Sequence, residues 1–174
     1  MLVLRFQHIL RASLFPGFLG VALLLGGCAS SYNQMSAPVA HRQISEDSAR
    51  ERSDIALAAM SLLDVRYKWG GRGPATGFDC SGLVRHVFAE GTGRKVSGNS
   101  AQLAAKATPV NSQDLQPGDL VFFNTLGPSF SHVGVYIGSG KFVHASNERT
   151  GVRVDKLSNS YYAKRFEGAR SLLD

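Results

Sequence analysis

The apolar period of this chain changes near its middle, and that change restricts its possible folds more than any other feature. From Ser45 onward, Ile55, Ala58, Ala59, Leu62 and Leu63 recur at helical spacing, predicting one apolar-faced helix through about Val65. Ser45 supplies an N-cap oxygen, and Glu46 and Asp47 place negative charge where the helix dipole favours it. The next stretch, YKWGGRGPATGFDCSG, is broken by glycines and Pro74 and reads as a loop. A second helix is expected from Cys80 to about Glu90, with Leu83, Val84, Val87 and Phe88 on one face and Gly91 as its stop. Asn99 caps a third, short helix through about Lys106, ended by Pro109. Beyond it the period becomes two. DLVFF (119–123), HVGVYIG (132–138), KFVHA (141–145), GVRV (151–154) and KRFEGARSL (164–172) are separated by glycine and proline turns, as in an antiparallel meander. Helices first and strands afterwards specify an α+β fold, and 174 residues allow one such domain.

The N-terminal part follows different rules. Arg5 and Arg11 precede an apolar stretch at 14–25, and no acid occurs before Glu46. Pro16, Gly17 and Gly20 break the stretch, which is too short for a spanning helix and reads as the apolar region of an export signal rather than a buried core helix. Leu25-Gly26-Gly27-Cys28 resembles the lipobox of bacterial lipoproteins. That resemblance implies cleavage before Cys28 and acylation of both its sulfur and its freed amine, enough for stable membrane anchoring without a span. Ala29 is not acidic, which favours the periplasmic face of the outer membrane. Residues 29–44, including His41, are small and polar and form a tether. The expected organisation is therefore a signal peptide at 1–27, a lipid-anchored tether at 28–44 and a folded domain at 45–174. The formal charge of +6 drops by two without Arg5 and Arg11, and no lysine or arginine run occurs. Such a chain is drawn weakly to anionic surfaces, and nothing in it calls for nucleic acid.

Of the two cysteines, lipidation removes Cys28 from thiol chemistry and leaves Cys80 unpaired in an oxidising compartment. Cys80 sits where the glycine-rich loop turns into the second helix. The dipole there is expected to lower its pKa and make it reactive, whereas a structural cysteine would sit on an apolar face. A base is then needed. His8 leaves with the signal, His41 lies in the tether, and His86 falls on the far side of the helix from Cys80 as a surface or packing residue. His132 and His144 remain. A three-residue loop, Gly138-Ser139-Gly140, would place Gly134 opposite His144, with His132 diagonal to it on the same face. A two-residue loop would put the histidines on opposite faces.

The ordered segments RYKWGG (66–71), GFDCSGLV (77–84), PGDLVFF (117–123), SHVGVYIG (131–138) and KFVHAS (141–146) resemble the NlpC-type papain-like cysteine peptidases of bacterial cell walls, most of all their Spr-type murein endopeptidase lipoproteins. The likeness covers about residues 50–173. It implies a papain-like fold, with Cys80 as nucleophile, His132 as base and His144 as the polar group that orients it. It also implies that Tyr67 supports the oxyanion and that Asp79 and Ser81 face substrate, although both also suit helix capping. Trp69 and its flanking glycines are read as structural. The sequence departs from the family at Val96-Ser97-Gly98-Asn99, where relatives commonly carry a Pro-Arg pair, so one wall of the cleft is its own. The implied activity is hydrolysis of peptidoglycan stem peptides or cross-links, with D-Ala–meso-diaminopimelate as preferred bond and γ-D-Glu–meso-diaminopimelate next. No cofactor or metal is expected, and the chain is read as a monomer. A thiol acyltransferase and a non-catalytic adaptor that binds wall peptide are the alternatives. A zinc site from the same residues is disfavoured, because no C-x₂-C or H-x₃₋₅-H cluster occurs.

Overall fold

The computed structural model describes residues 45–173. The expected signal peptide, Cys28 and the expected tether to residue 44, with His8 and His41, lie outside the described residues, as does Asp174. Among the described residues no helix is long and apolar enough to cross a membrane.

Helix α1 (Glu46–Met60) begins as its cap dictates, the Ser45 side chain accepting from the Ser48 N–H at 3.2 Å. It stops at Met60 and not near Val65, although the apolar pattern continues. Asp64 adopts a left-handed φ of 67° and donates its N–H to the Val152 carbonyl, while the Val152 N–H returns to Val65. Tertiary hydrogen bonds thus take over where helical spacing alone predicted another turn. The glycine-rich loop contains a two-stranded ladder, β1 (Arg72–Gly73) with β2 (Gly77–Phe78). Helix α2 (Cys80–Thr92) follows, capped by Asp79 and ended by Gly93 at φ 70° rather than by Gly91. Gly91 lies inside the helix because α1 crosses there; a Cβ on it would come within 2.9 Å of the Ile55 nitrogen. Helix α3 (Ser100–Lys106) carries the full capping box of Asn99 and Gln102.

The rest is a sheet: β3 (Thr108–Val110), β4 (Leu120–Phe123), β5 (His132–Gly138), β6 (Lys141–Ala145), β7 (Val152–Lys156) and β8 (Phe166–Ser171), with a short helix α4 (Ser160–Ala163) before the last strand. Every pairing is antiparallel, and the order is β3-β8-β4-β5-β6-β7. The meander holds from β4 to β7. The final strand departs from it, returning to the far side of β4, with β3 at its outer edge.

Both faces of this sheet are covered, which explains the continuous apolar run of β4. Leu120 and Phe122 pack with Ile55, Leu83, Val87 and Phe88 of the helices, together with Val133, Val135 and Val143. Val121 and Phe123 point the opposite way, into a smaller cluster with Tyr136, Phe142 and Tyr162. Each fully buried phenylalanine contributes roughly 1.5–3 kcal/mol relative to exposure. Arg52 of α1 is also buried and reaches the sheet, with a nitrogen 2.6 Å from the Asp119 carboxylate and another donating to Ser171 at 3.1 Å.

Candidate active site

The site begins with the capping of α2. Asp79 Oδ1 accepts from the Gly82 N–H at 2.6 Å and from the Ser81 hydroxyl at 2.9 Å, which starts the helix at Cys80. The preceding loop fits tightly against that helix end, and two glycines make this possible. A Cβ on Gly82 would lie 1.9 Å from the Gly71 carbonyl oxygen, and one on Gly71 would lie 2.4 Å from the Gly77 oxygen. The same loop brings Tyr67 alongside Phe78.

Cys80 is partly exposed, and its reactivity is governed by opposing physical effects. Burial of the sulfur raises its pKa most, and the Asp79 charge adds to this; backbone hydrogen bonds from Val133, Ser81 and Cys80 itself oppose them. Burial wins, and the thiol is pushed up to about 11. The expectation of a dipole-lowered thiol is therefore corrected: the helix N-terminus acts in the expected direction, but desolvation of the charged form exceeds it. Burial, followed by the charges of Cys80, Asp79 and Glu148, also raises the Tyr67 phenol, so its hydroxyl remains a donor.

The histidines meet by an unexpected route. Ser139 and Gly140, both at positive φ, make a two-residue turn, and Gly138 pairs with Lys141. Such a turn alone would put the two rings on opposite faces. An irregularity between Tyr136 and Gly138 restores the parity, so Val135 pairs with Val143 and the rings share a face. Gly134 provides the room, since a Cβ there would lie 2.6 Å from the Phe142 ring and 3.3 Å from His144 Cβ. His132 Nε2 and His144 Nδ1 are 2.7 Å apart, with the rings nearly perpendicular. His144 Nε2 is in turn 2.9 Å from Asp155 Oδ2, and Arg153 donates to Asp155 Oδ1 at 2.9 Å.

Burial, then the neighbouring His144, lowers the His132 pKa to about 3. Burial also lowers that of His144, outweighing the contrary pull of Asp155. Burial alone would raise the Asp155 carboxyl, yet its bond and charge interaction with His144 and the Arg153 charge hold it below its ordinary value. At neutral pH the site therefore carries a neutral thiol, two neutral imidazoles and a carboxylate.

Cys80, His132, Tyr67, Asp79 and Ser81 line one cleft of about 190 Å³, while His144 is fully buried behind His132. Trp69 is 74% exposed and also lines the cleft, as does Leu126; the reading of Trp69 as structural is corrected, since no core holds the indole. Next to Asp79 and Ser81 a shallower hollow adds Arg72 and Arg85. His86 packs on Phe78, ring centroids 5.1 Å apart. Among the described residues no group of three or more His, Cys, Asp or Glu could hold a metal.

Asp155 is the residue that sequence reasoning missed. The sequence reading ends the fourth strand at Val154, and aspartate is disfavoured in strands. Carrying β7 one step further, with Arg153 opposite His144, places Asp155 diagonal to His144 on the same face.

Residues 64–171 match the NlpC/P60 family. The chain is 37% identical over 117 residues to murein DD-endopeptidase MepH of Escherichia coli (strain K12), covering 66% of this chain and 43% of that protein. It is 36% identical over 130 residues to gamma-DL-glutamyl hydrolase of Bacillus subtilis (strain 168), covering 74% and 31%. Among solved structures, the NlpC/p60 domain of the peptidoglycan hydrolase SagA matches with a TM-score of 0.60 at 30% identity, over 70% of this chain and 98% of that one. This chain thus spans less than half the length of these curated relatives.

Proposed function

The chain belongs to the NlpC/P60 family, and from that premise we propose that it is a cysteine endopeptidase acting on peptidoglycan stem peptides or cross-links. One observation carries the reading: Cys80 and His132 line the same cleft, and His132 Nε2 is held by His144, which leaves Nδ1 as the nitrogen available to the thiol.

The chemistry follows from a neutral resting pair. As sulfur attacks an amide carbonyl, the thiol proton passes to His132 Nδ1, the C–S bond forms and the carbonyl π electrons move onto oxygen. The Cys80 N–H and the Tyr67 hydroxyl are the donors for that oxyanion. Its collapse breaks the C–N bond, and the amine leaves with the proton from His132. Water then attacks the thioester, His132 takes its proton, and the thiol is restored as the shortened acid departs. Asp79 and Ser81 border the cleft; Asp79 keeps Oδ2 for a substrate ammonium while Oδ1 caps the helix. Arg72 and Arg85 beside them suit the carboxylates of stem peptides.

The bond is proposed to be D-Ala–meso-diaminopimelate, in line with the relative named a DD-endopeptidase. The relative named a gamma-DL-glutamyl hydrolase, at nearly the same identity, supports γ-D-Glu–meso-diaminopimelate as the second reading. Full-length chain in detergent, incubated with cross-linked muropeptides and followed by mass spectrometry, separates them. Dimers converted to intact monomers report the first bond and stems truncated at D-Glu the second, both abolished by Cys80→Ala. No product from well-folded protein would sink the hydrolase reading in favour of an adaptor or an acyltransferase.

The anchor belongs to the same proposal: Cys28 acylated, the domain tethered at the periplasmic face of the outer membrane. Radiolabelled palmitate is expected to enter the wild-type chain and not Cys28→Ala; equal labelling of both would refute it.

A further inference from the structure

Two neutral imidazoles joined by one hydrogen bond have two proton arrangements of similar energy. In one, His132 Nε2–H donates to His144 Nδ1, and His132 Nδ1 has a free lone pair. In the other, His144 Nδ1–H donates to His132 Nε2, the remaining His132 proton sits on Nδ1, and no base faces the thiol. The pair itself does not choose. The choice is made at its far end.

We propose that Asp155, oriented by Arg153, is a positioning residue that selects the tautomers of both histidines and so keeps His132 Nδ1 free to accept the Cys80 proton. This rests on the reading of Cys80 and His132 as nucleophile and base. A carboxylate can only accept, so the 2.9 Å contact with Asp155 Oδ2 requires a proton on His144 Nε2. Neutral His144 then has none on Nδ1, which at 2.7 Å must accept from His132 Nε2–H. Arg153 engages the other carboxylate oxygen and turns Oδ2 towards the ring. His144 is fully buried, which keeps water from taking the place of the carboxylate at its Nε2. The charged and titratable groups facing Asp155 all favour its ionised form or leave it unopposed. They are Arg153 on its own strand, His144 on β6, the Tyr162 hydroxyl of α4 at 3.4 Å from His144 Nε2, and Lys141 and Lys156 around an outward hollow of about 420 Å³. The Tyr162 hydroxyl also hydrogen-bonds Ser146.

Asp155→Asn tests this at constant shape. Arg153 keeps the amide oxygen on itself, so the amide NH₂ faces His144 and donates to Nε2. Both tautomers invert, and His132 Nδ1 becomes protonated. The expected loss of kcat is about 10⁴-fold at neutral pH with KM little changed, the size seen when a catalytic imidazole is held in the wrong tautomer. Adding Arg153→Met frees the amide to turn its oxygen inward, and activity is expected to recover about tenfold or more over Asp155→Asn. A merely structural role predicts further loss in the double variant. Two readouts need no wall substrate: ¹⁵N-histidine NMR, which reports the protonated nitrogen of each ring, and the rate of Cys80 alkylation by iodoacetamide at neutral pH. Inverted tautomers with slowed alkylation in Asp155→Asn, partly restored by Arg153→Met, support the role. Unchanged tautomers in a folded Asp155→Asn protein overturn it, whatever the activity. Failure of the peptidoglycan reading would appear instead as normal tautomers and alkylation in a wild-type protein that cleaves no muropeptide.

Discussion

At the scale of single residues, the site separates what a sequence can locate from what it cannot weigh. Cys80 was legible because an unpaired thiol at the mouth of a polar helix start has few structural uses. The direction of its pKa was not legible: the pull of the helix dipole can be read from position in a helix, whereas desolvation depends on what the fold lays over the sulfur. The two effects predict different titrations. A preformed thiolate–imidazolium pair absorbs in the far ultraviolet as a thiolate well below pH 7. With the thiol near 11 and His132 near 3, the difference in absorbance between wild type and Cys80→Ala is expected to stay flat through neutral pH and rise only as pH approaches 11. A thiolate signal already full at pH 6 would contradict the neutral pair. Hydrolysis is expected to vanish in Cys80→Ala regardless, since among the described residues no other thiol lines the cleft.

At the scale of elements, the strands carrying the histidines were read with their observed bounds, and their shared face was inferred correctly through the wrong turn. The spacing demanded a parity that a three-residue loop would supply; the fold supplies it with a two-residue turn and an irregularity, which alternating side chains cannot distinguish. Helix starts were more legible than helix ends, because Ser45, Asp79 and Asn99 each carry a local capping oxygen. The ends of α1 and α2 depend on contacts distant in sequence, at Val152 and at the α1–α2 crossing. The loop–helix contact at Gly71 and Gly82 is of the same kind. Gly82→Ala sets a methyl carbon against a backbone oxygen, which no rotamer change can relieve. The expected cost is about 3 kcal/mol, at the upper end of overpacking effects. Because the strain falls between Tyr67's loop and Cys80's helix, kcat is expected to fall further than stability. Urea midpoints beside kinetics check this; a midpoint within error of wild type would show that the contact relaxes freely.

At the scale of the whole molecule, the α+β class followed from the change of period, while the sheet order did not, since nothing local tells β8 to pair beyond β4. Folding around a neutral site also sets how the molecule responds to pH. His132 titrates near 6.5 when unfolded and near 3 when folded, and His144 shifts the same way. As pH falls below 6.5 the unfolded chain gains protons that the native state refuses, so stability declines. Asp155, lowered from 3.8, adds its own loss at the acid end of that range. Cys80 moves oppositely, from 9.0 to about 11, and between those values the unfolded chain loses a proton that the native state keeps. Stability falls again there, by at most about 3 kcal/mol for the full shift. Tyr67 and Tyr162, both raised by burial above 10.0, extend the alkaline decline. Calorimetry is therefore expected to give a plateau of Tm between about pH 6.5 and 9, falling on both sides. Cys80→Ala should flatten the alkaline side up to pH 10 and leave the acid side unchanged, because it removes the group whose proton is at issue there. A Tm that climbs from pH 9 to 11, or an alkaline limb indifferent to Cys80→Ala, would mean that the thiol is ionised in the native site and that the neutral-pair account of its chemistry is wrong.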